Sequence, residues 1–312
     1  MKILMRMNTI KMMNPIKKKL IVILGPTASG KTSLGVKIAK KLNTEILSSD
    51  SRQFYRELII GTATPSQAEL KSINHHFINH ISIKDTYNIG EYEKDSITKI
   101  ESLFKDYDNL LLVGGSGLYI DAICKGIDIL PNIPKEIRED INNNFLEKGL
   151  NWLQDKTKAI DPDYYKYVDT KNPQRLKRCL EIFTATGNKI SSLHNKKSKK
   201  RNFDIIKIGI KTEREILYNR INNRVNQMIN DGLIEEAKKL LGYRNYNALN
   251  TVGYKELFDY FDGKESLKNT IENIKQNTRR LAKRQLTWFK RDKQIKWFTT
   301  EEYEGILKTI LK

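Results

Sequence analysis

Gly25-Pro26-Thr27-Ala28-Ser29-Gly30-Lys31-Thr32 fits the pattern G-x-x-x-x-G-K-[ST], and it sits where that pattern needs to sit. An apolar run, Leu20 to Leu24, precedes it, and Leu34, Ile38 and Leu42 follow at helical spacing. The stretch therefore reads as strand, loop and helix. Its glycines let the backbone curl so that successive N–H groups point at an anion, and the opening helix adds the positive end of its dipole. Lys31 supplies a mobile cation, and the Thr32 hydroxyl is placed to ligate Mg2+. A phosphate-bearing ligand is the first expectation. The fold class that follows is α/β: a P-loop NTPase-like parallel sheet flanked by helices.

The chain has 312 residues, enough for one large domain or two modest ones. Lys and Arg number 56 against 37 Asp and Glu, a formal net charge of +19. Such a balance suits a polyanionic partner, nucleic acid first, although lysine-rich solvation from biased codon usage accounts for it equally well. Cys124 and Cys179 are far apart and lack metal-ligand spacing, which argues against a disulfide framework or a zinc site and for a reducing, cytoplasmic setting. Residues 1–16 are broken by Arg6, Asn8, Lys11 and Asn14, too polar for a signal core or a membrane span, and are expected to form a disordered tail.

Beyond the first helix, Glu45-Ile46-Leu47-Ser48 reads as a short buried strand running into Asp50-Ser51-Arg52-Gln53. Carboxyl ends of parallel strands point at the ligand crevice, so Asp50 is expected near the phosphate loop, as a functional carboxylate, a helix cap or an outer Mg2+ ligand. His75, His76 and His80 resemble a metal cluster, but with no further ligand at suitable spacing they read as loop or core histidines. Leu110 to Val113 predicts another strand, ending in Gly114-Gly115-Ser116-Gly117, either a site for close backbone approach or a plain tight turn.

Strand signals stop near Gly126, and a mainly helical insertion over 126–202 is expected to close over the site. The catalytic core then comprises 17–125 and 203–312. Within the insertion, Asn172-Pro173 starts a helix that Gly187 ends, with Leu176, Leu180 and Phe183 inward and Gln174, Arg175 and Arg178 on another face. Phe203 to Ile210 alternates as a strand, Glu213 to Leu241 is helical with a break at Asp231-Gly232, and a long helix runs from about Asn269 to Lys290. Its inward positions are Ile271, Ile274, Leu281 and Trp288, beside a basic flank of Arg279, Arg280, Lys283, Arg284 and Lys290. A short strand, Gln294 to Phe298, completes the sheet.

These motifs together resemble the tRNA dimethylallyltransferase (tRNA isopentenyltransferase) family, bacterial type. The resemblance rests on GPTASGKT (25–32), DSRQFYR (50–56), IGTATP (60–65), HHFI (75–78), VGGSGLYI (113–120), NPQRLKRCLEI (172–182), VGYKE (252–256) and TRRLAKRQLTWFKRD (278–292). Asn79 stands where the family usually has Asp, and Ser116 where it usually has Thr. The resemblance implies transfer of a dimethylallyl group from dimethylallyl diphosphate to the exocyclic N6 amine of the adenosine just 3′ of the anticodon, with Mg2+ as cofactor. It implies that the P-loop, residues 25–32, holds a leaving diphosphate rather than ATP, with Lys31 and Thr32 in catalysis. Asp50 is then the expected general base. The tRNA contacts it implies are Asp50, Ser51, Arg52, Gln53, Ser116, Gln174, Arg175, Leu176, Lys177 and Arg178, with Arg138 carried over by position. The expected partners are the tRNA anticodon stem-loop and dimethylallyl diphosphate, with no membrane, and the chain is expected to act as a monomer. A small-molecule P-loop kinase and an RNA-binding ATPase module are the rival readings. The basic helices weigh against the first, and Asp50 beside an intact phosphate loop weighs against the second.

Overall fold

The computed structural model describes residues 17–128, 130–193 and 198–312; the expected tail at 1–16 and the start of the charged linker at Lys196 lie outside them. Two compact units emerge, one formed by the described residues up to Cys124 with Lys200–Lys312, the other by Lys125–Lys199.

The first unit begins with β1 (Lys19–Leu24), α1 (Lys31–Leu42), β2 (Ile46–Ser48), α2 (Gln67–Ser72), β3 (His75–His76), α3 (Ile89–Leu103), β4 (Asn109–Gly114) and α4 (Gly117–Lys125). The second unit holds α5 (Lys135–Ile160), α6 (Pro162–Tyr165), α7 (Pro173–Thr186) and α8 (Ile190–Leu193). The chain then returns to the first with β5 (Asp204–Ile210), α9 (Arg214–Asn230), α10 (Leu233–Lys239), α11 (Tyr254–Phe261), α12 (Leu267–Phe289), β6 (Lys296–Phe298) and α13 (Tyr303–Ile310). No helix among the described residues is long and apolar enough to cross a membrane.

All six strands are parallel, in the order β3-β2-β4-β1-β5-β6. A parallel sheet is covered on both faces, which is why β1 is a continuous apolar run rather than an alternating one. Leu20, Val22 and Leu24 enter the core shared with α3, α4, α11 and α12, whereas Ile21 and Ile23 enter the opposite core with α1 and α13. The register sets Leu24 beside Gly114 on one side and Gly209 on the other. The loops after these strands therefore leave the sheet at one level. Lys207, on the same face as Val22, is buried and paired with Asp292 at 2.7 Å, so removing the carboxylate would strand a charge.

The elements that escaped the sequence reading include α2, α4, β3 and α13. The histidine stretch supplies β3, a two-residue edge strand too short to show any period, and α13 follows the last strand with Ile306 and Ile310 buried. The buried face of α12 also differs, with Thr270, Ile274, Ala282 and Phe289 innermost and Ile271, Leu281 and Trp288 half-buried.

In the second unit the core gathers Ile141, Leu153, Tyr164, Leu176, Cys179, Leu180 and Ile182. Phe183 is half-buried, since Cys179 and Ile182 take the inward positions. Asp161 organises the turn at the end of α5. Its carboxylate accepts from the Tyr164 N–H at 3.0 Å, the Ser191 N–H at 2.9 Å and the Ser191 hydroxyl at 2.8 Å. Burial pushes this carboxyl upward, but the three donated bonds outweigh it and hold Asp161 below its ordinary range. A depressed folded pKa means stability that is present above the unfolded carboxyl range, near pH ~4, and lost as pH falls through the folded value. Asp161→Ala is expected to destabilise the chain by about 1–3 kcal/mol at pH 7. That deficit should shrink below pH ~4, as urea unfolding across the two pH values will measure.

Candidate active site

The loop after β1 follows a strained backbone course. Ala28 (φ 63°) and Gly30 (φ 87°) both lie in the left-handed region, and the Ser29 N–H returns to the Pro26 carbonyl at 3.3 Å. Alternating hand turns amides toward a common centre, and a non-glycine residue held there stores strain of the kind found at binding sites. α1 starts at Lys31, so its first amides lack carbonyls one turn back and open toward the same centre. Lys31 Nζ rests on the Pro26 carbonyl at 3.2 Å. Burial pulls its ammonium down to about 8, against the pull of Asp50 and with help from Arg224.

A small cavity opens at this loop. Thr27, Lys31, Thr32, Asp50, Gln53 and Arg224 form its polar wall, and Ile46, Ala63, Pro65, Ile78 and Val113 its apolar one. Arg224, on α9, reaches the Thr27 hydroxyl at 3.4 Å, and burial lowers its pKa while Asp50 raises it. A second cleft, of 760 Å³, has Asp50, Ser51, Arg52, Ser116, Lys255, Asn273, Arg284 and Gln285 in its lining. Asp50 lines both spaces. Its backbone N–H is held by the Ser48 hydroxyl at 3.3 Å, and its Oδ1 accepts from the Arg52 N–H at 3.2 Å.

Two loops hold these walls. Glu236 on α10 accepts from the N–H groups of Ile59, Ile60 and Gly61 at 3.2, 2.9 and 3.0 Å and from the Tyr254 hydroxyl at 2.6 Å. Gly61 is required because a Cβ would lie 2.6 Å from the Tyr254 ring. The loop from Gly114 to Gly117 is likewise a site of close approach. At Gly115 a Cβ would come 2.5 Å from Gln285 Nε2, and at Gly117 it would enter the Trp288 indole, whose N–H donates to Asp121 at 2.9 Å. Ser116 Oγ accepts from the Ser51 N–H at 3.1 Å. His76 pairs with Glu45 at 2.6 Å and His75 lines the small cavity. Asn79 lies at φ 49° with its Oδ1 buried and unpartnered, a place where a neutral amide costs less than the carboxylate usual in the family.

Some expected contact residues are already committed within the chain. Arg52 donates to the carbonyls of Asn247, Ala248 and Asn250, and Gln53 donates to those of Thr62 and Ala63. In the second unit, Gln174, Arg175 and Arg138 are exposed. Leu176 is fully buried, which corrects its assignment as a contact: an apolar side chain on the inward stripe of α7 belongs to the core. Lys177 is corrected as well, since it is buried with Nζ 3.0 Å from Asn142 Oδ1 and its charge over the Phe145 ring. Arg178 is shared with Glu181 and the Pro131 carbonyl at 3.3 and 3.2 Å. Arg224, Glu236 and Gln285 were missed. Arg224 and Glu236 lie on helices without a motif. Gln285 carried a legible signal, a polar residue four after Leu281 and three before Trp288 on one helix face.

A P-loop sequence at the carboxyl edge of a wholly parallel sheet, with one carboxylate lining both a small cavity and a larger cleft, defines an α/β protein of the P-loop type. A family profile described as IPP transferase matches residues 53–292. The chain is 54% identical over 283 residues to the tRNA dimethylallyltransferase of Christiangramia forsetii, covering 91% of this chain and 94% of the relative, and 50% identical over 287 residues to that of Flavobacterium johnsoniae, covering 90% and 93%. Among solved structures it is similar to the full-length tRNA isopentenylpyrophosphate transferase from Bacillus halodurans (TM-score 0.70, 34% identity, 95% of this chain and 96% of that one). It is also similar to a eukaryotic dimethylallyltransferase acting on tRNA (TM-score 0.72, 27% identity, 87% and 70%). The chain belongs to the IPP transferase family.

Glu236→Ala would leave three amides and a buried phenol without their acceptor. It is expected to destabilise the protein by at least about 2 kcal/mol and to speed amide exchange at Ile60 and Gly61, measured by thermal unfolding and exchange mass spectrometry.

Proposed function

We propose that this chain transfers a dimethylallyl group from dimethylallyl diphosphate to the N6 amine of the adenosine immediately 3′ of the anticodon in tRNA. The observation that carries this reading is the double placement of Asp50, in the wall of the anion cavity and in the wall of the 760 Å³ cleft. A donor whose diphosphate occupies the P-loop and a base entering from the cleft then meet at one carboxylate. The apolar wall of Ile46, Ala63, Pro65, Ile78 and Val113 suits a five-carbon tail.

The C1–O bond of the donor breaks, its electron pair leaves with the diphosphate, and Lys31, Arg224 and the open amides of α1 stabilise the charge that develops. The adenine N6 lone pair forms the new bond to C1, and Asp50 accepts the proton that the amine must lose. Bringing the base out of the anticodon stack costs a few kcal/mol, offset by contacts in the cleft. Thr32 presents a hard hydroxyl oxygen to this cavity, a donor that fits Mg2+, which binds through one or two protein oxygens and substrate phosphates. Such an ion, when bound, supplies further neutralisation of the diphosphate. The exposed Arg175, Gln174 and Arg138, with the basic flank of α12, are the proposed tRNA phosphate contacts, and the tRNA pool places the work in the cytoplasm.

The direct test incubates the protein with labelled dimethylallyl diphosphate, Mg2+ and undermodified tRNA. Label is expected at the adenosine beside the anticodon, and ATP hydrolysis in place of label would move the protein to the kinase or ATPase class. Asp50→Ala is expected to cut turnover by roughly 10²- to 10⁴-fold with modest changes in donor and tRNA affinity. Normal turnover with a shifted Mg2+ optimum would instead make Asp50 a metal-shell group. A tRNA lacking the acceptor adenosine should still bind, because phosphate contacts supply most of the affinity. Arg175→Ala should flatten the log-log salt dependence of tRNA binding by about 0.7–0.9, and Arg178→Ala by less, because Glu181 already shares its guanidinium.

A further inference from the structure

Gln285 bonds both glycine-rich loops. Its Oε1 accepts from the Thr27 N–H of the P-loop at 2.9 Å, and its Nε2 donates to the Gly115 carbonyl at 2.9 Å. The second loop continues the connection. The Ser116 N–H donates to the Ser49 carbonyl at 3.2 Å, and the Ser51 N–H donates to Ser116 Oγ at 3.1 Å, so Asp50 is bracketed on both sides by bonds to Ser116. The route from the anion cradle to the carboxylate is thus Thr27, Gln285, Gly115, Ser116 and the backbone around Asp50.

Three features make this more than incidental packing. The amide is used in both senses, as acceptor through Oε1 and as donor through Nε2, so no apolar or ionised acidic side chain of that length can make both bonds. Gly115 leaves the space, since a Cβ there would approach Nε2 to 2.5 Å. Finally, the neighbouring bond from the Trp288 indole to Asp121 anchors the next turn of α12, so the Gln285 amide is presented from a rigid helix rather than from a loop.

We propose that Gln285 is a positioning residue that sets the separation between the diphosphate cradle and Asp50, and hence between donor carbon and acceptor amine. This rests on the reading of Asp50 as the proton acceptor. A misplacement of about 1 Å between reacting groups costs on the order of 10²-fold in rate without loss of binding, because each half of the site still binds its own ligand.

The test compares wild type, Gln285→Leu and Gln285→Glu. The glutamate keeps the acceptor for Thr27 but sets a carboxylate oxygen against the Gly115 carbonyl. Both variants are expected to lose about 10- to 100-fold in kcat, with KM for dimethylallyl diphosphate and Kd for tRNA within about twofold of wild type and unfolding temperatures nearly unchanged. In an Asp50→Ala background, adding Gln285→Leu should cost less than about threefold, since the group it positions is gone. Equal losses in the two backgrounds, or a loss confined to KM, Kd or unfolding temperature, would overturn the proposal and leave Gln285 a packing residue. Asp50→Ala on its own reads the parent assignment: full activity there defeats the proton-acceptor reading whatever Gln285 does.

Discussion

Lys31, Arg224 and Asp50 are held together in a partly dehydrated cavity, and much of the surrounding structure exists to make that arrangement tolerable. Burial weakens the charged form of both cations, and the single carboxylate opposes it for each. Two cations sharing one acid leave net positive potential at the loop, and a diphosphate would complete the balance. The strained Ala28, the start of α1 at Lys31 and the bond from the Thr27 N–H to Gln285 all lie at this same loop.

That site depends on the sheet being buried on both faces. With Leu20, Val22 and Leu24 directed to one core and Ile21 and Ile23 to the other, β1 cannot slip by one residue without exchanging its two faces. Its register with β4 and β5 is therefore firm, and the loops that follow β1 and β4 emerge close enough for one glutamine to reach Thr27 in the first and Gly115 in the second. The Gly61–Pro65 wall has no regular structure of its own. It takes its shape from Glu236 and Tyr254, and so motif residues such as Tyr254 act by supporting the cavity rather than by lining it.

Local chemistry was readable in the chain wherever a few adjacent residues carry the whole reason. The phosphate loop is one such case, because glycine, lysine and threonine at fixed spacing after an apolar run permit few other structures. The inward face of α1 is another, since a helical period is visible within a dozen residues. β3, with two residues, is below the length at which any period exists, and α13 packs into a core whose other members include residues of strands as distant in the chain as β1.

By itself the sequence determined the parallel P-loop architecture and the place of Asp50 after the second strand, both consequences of short-range spacing and strand polarity. Tertiary structure decided which other side chains converge there. Arg224, Glu236 and Gln285 come from three different helices, and their distances to Thr27, Gly61 and Gly115 span roughly 170 to 260 positions of sequence. It also decided that Leu176 and Lys177 face inward while Arg175 faces water. Such outcomes depend on how packed faces rotate against one another, and no local pattern encodes the partner that a side chain meets across a fold.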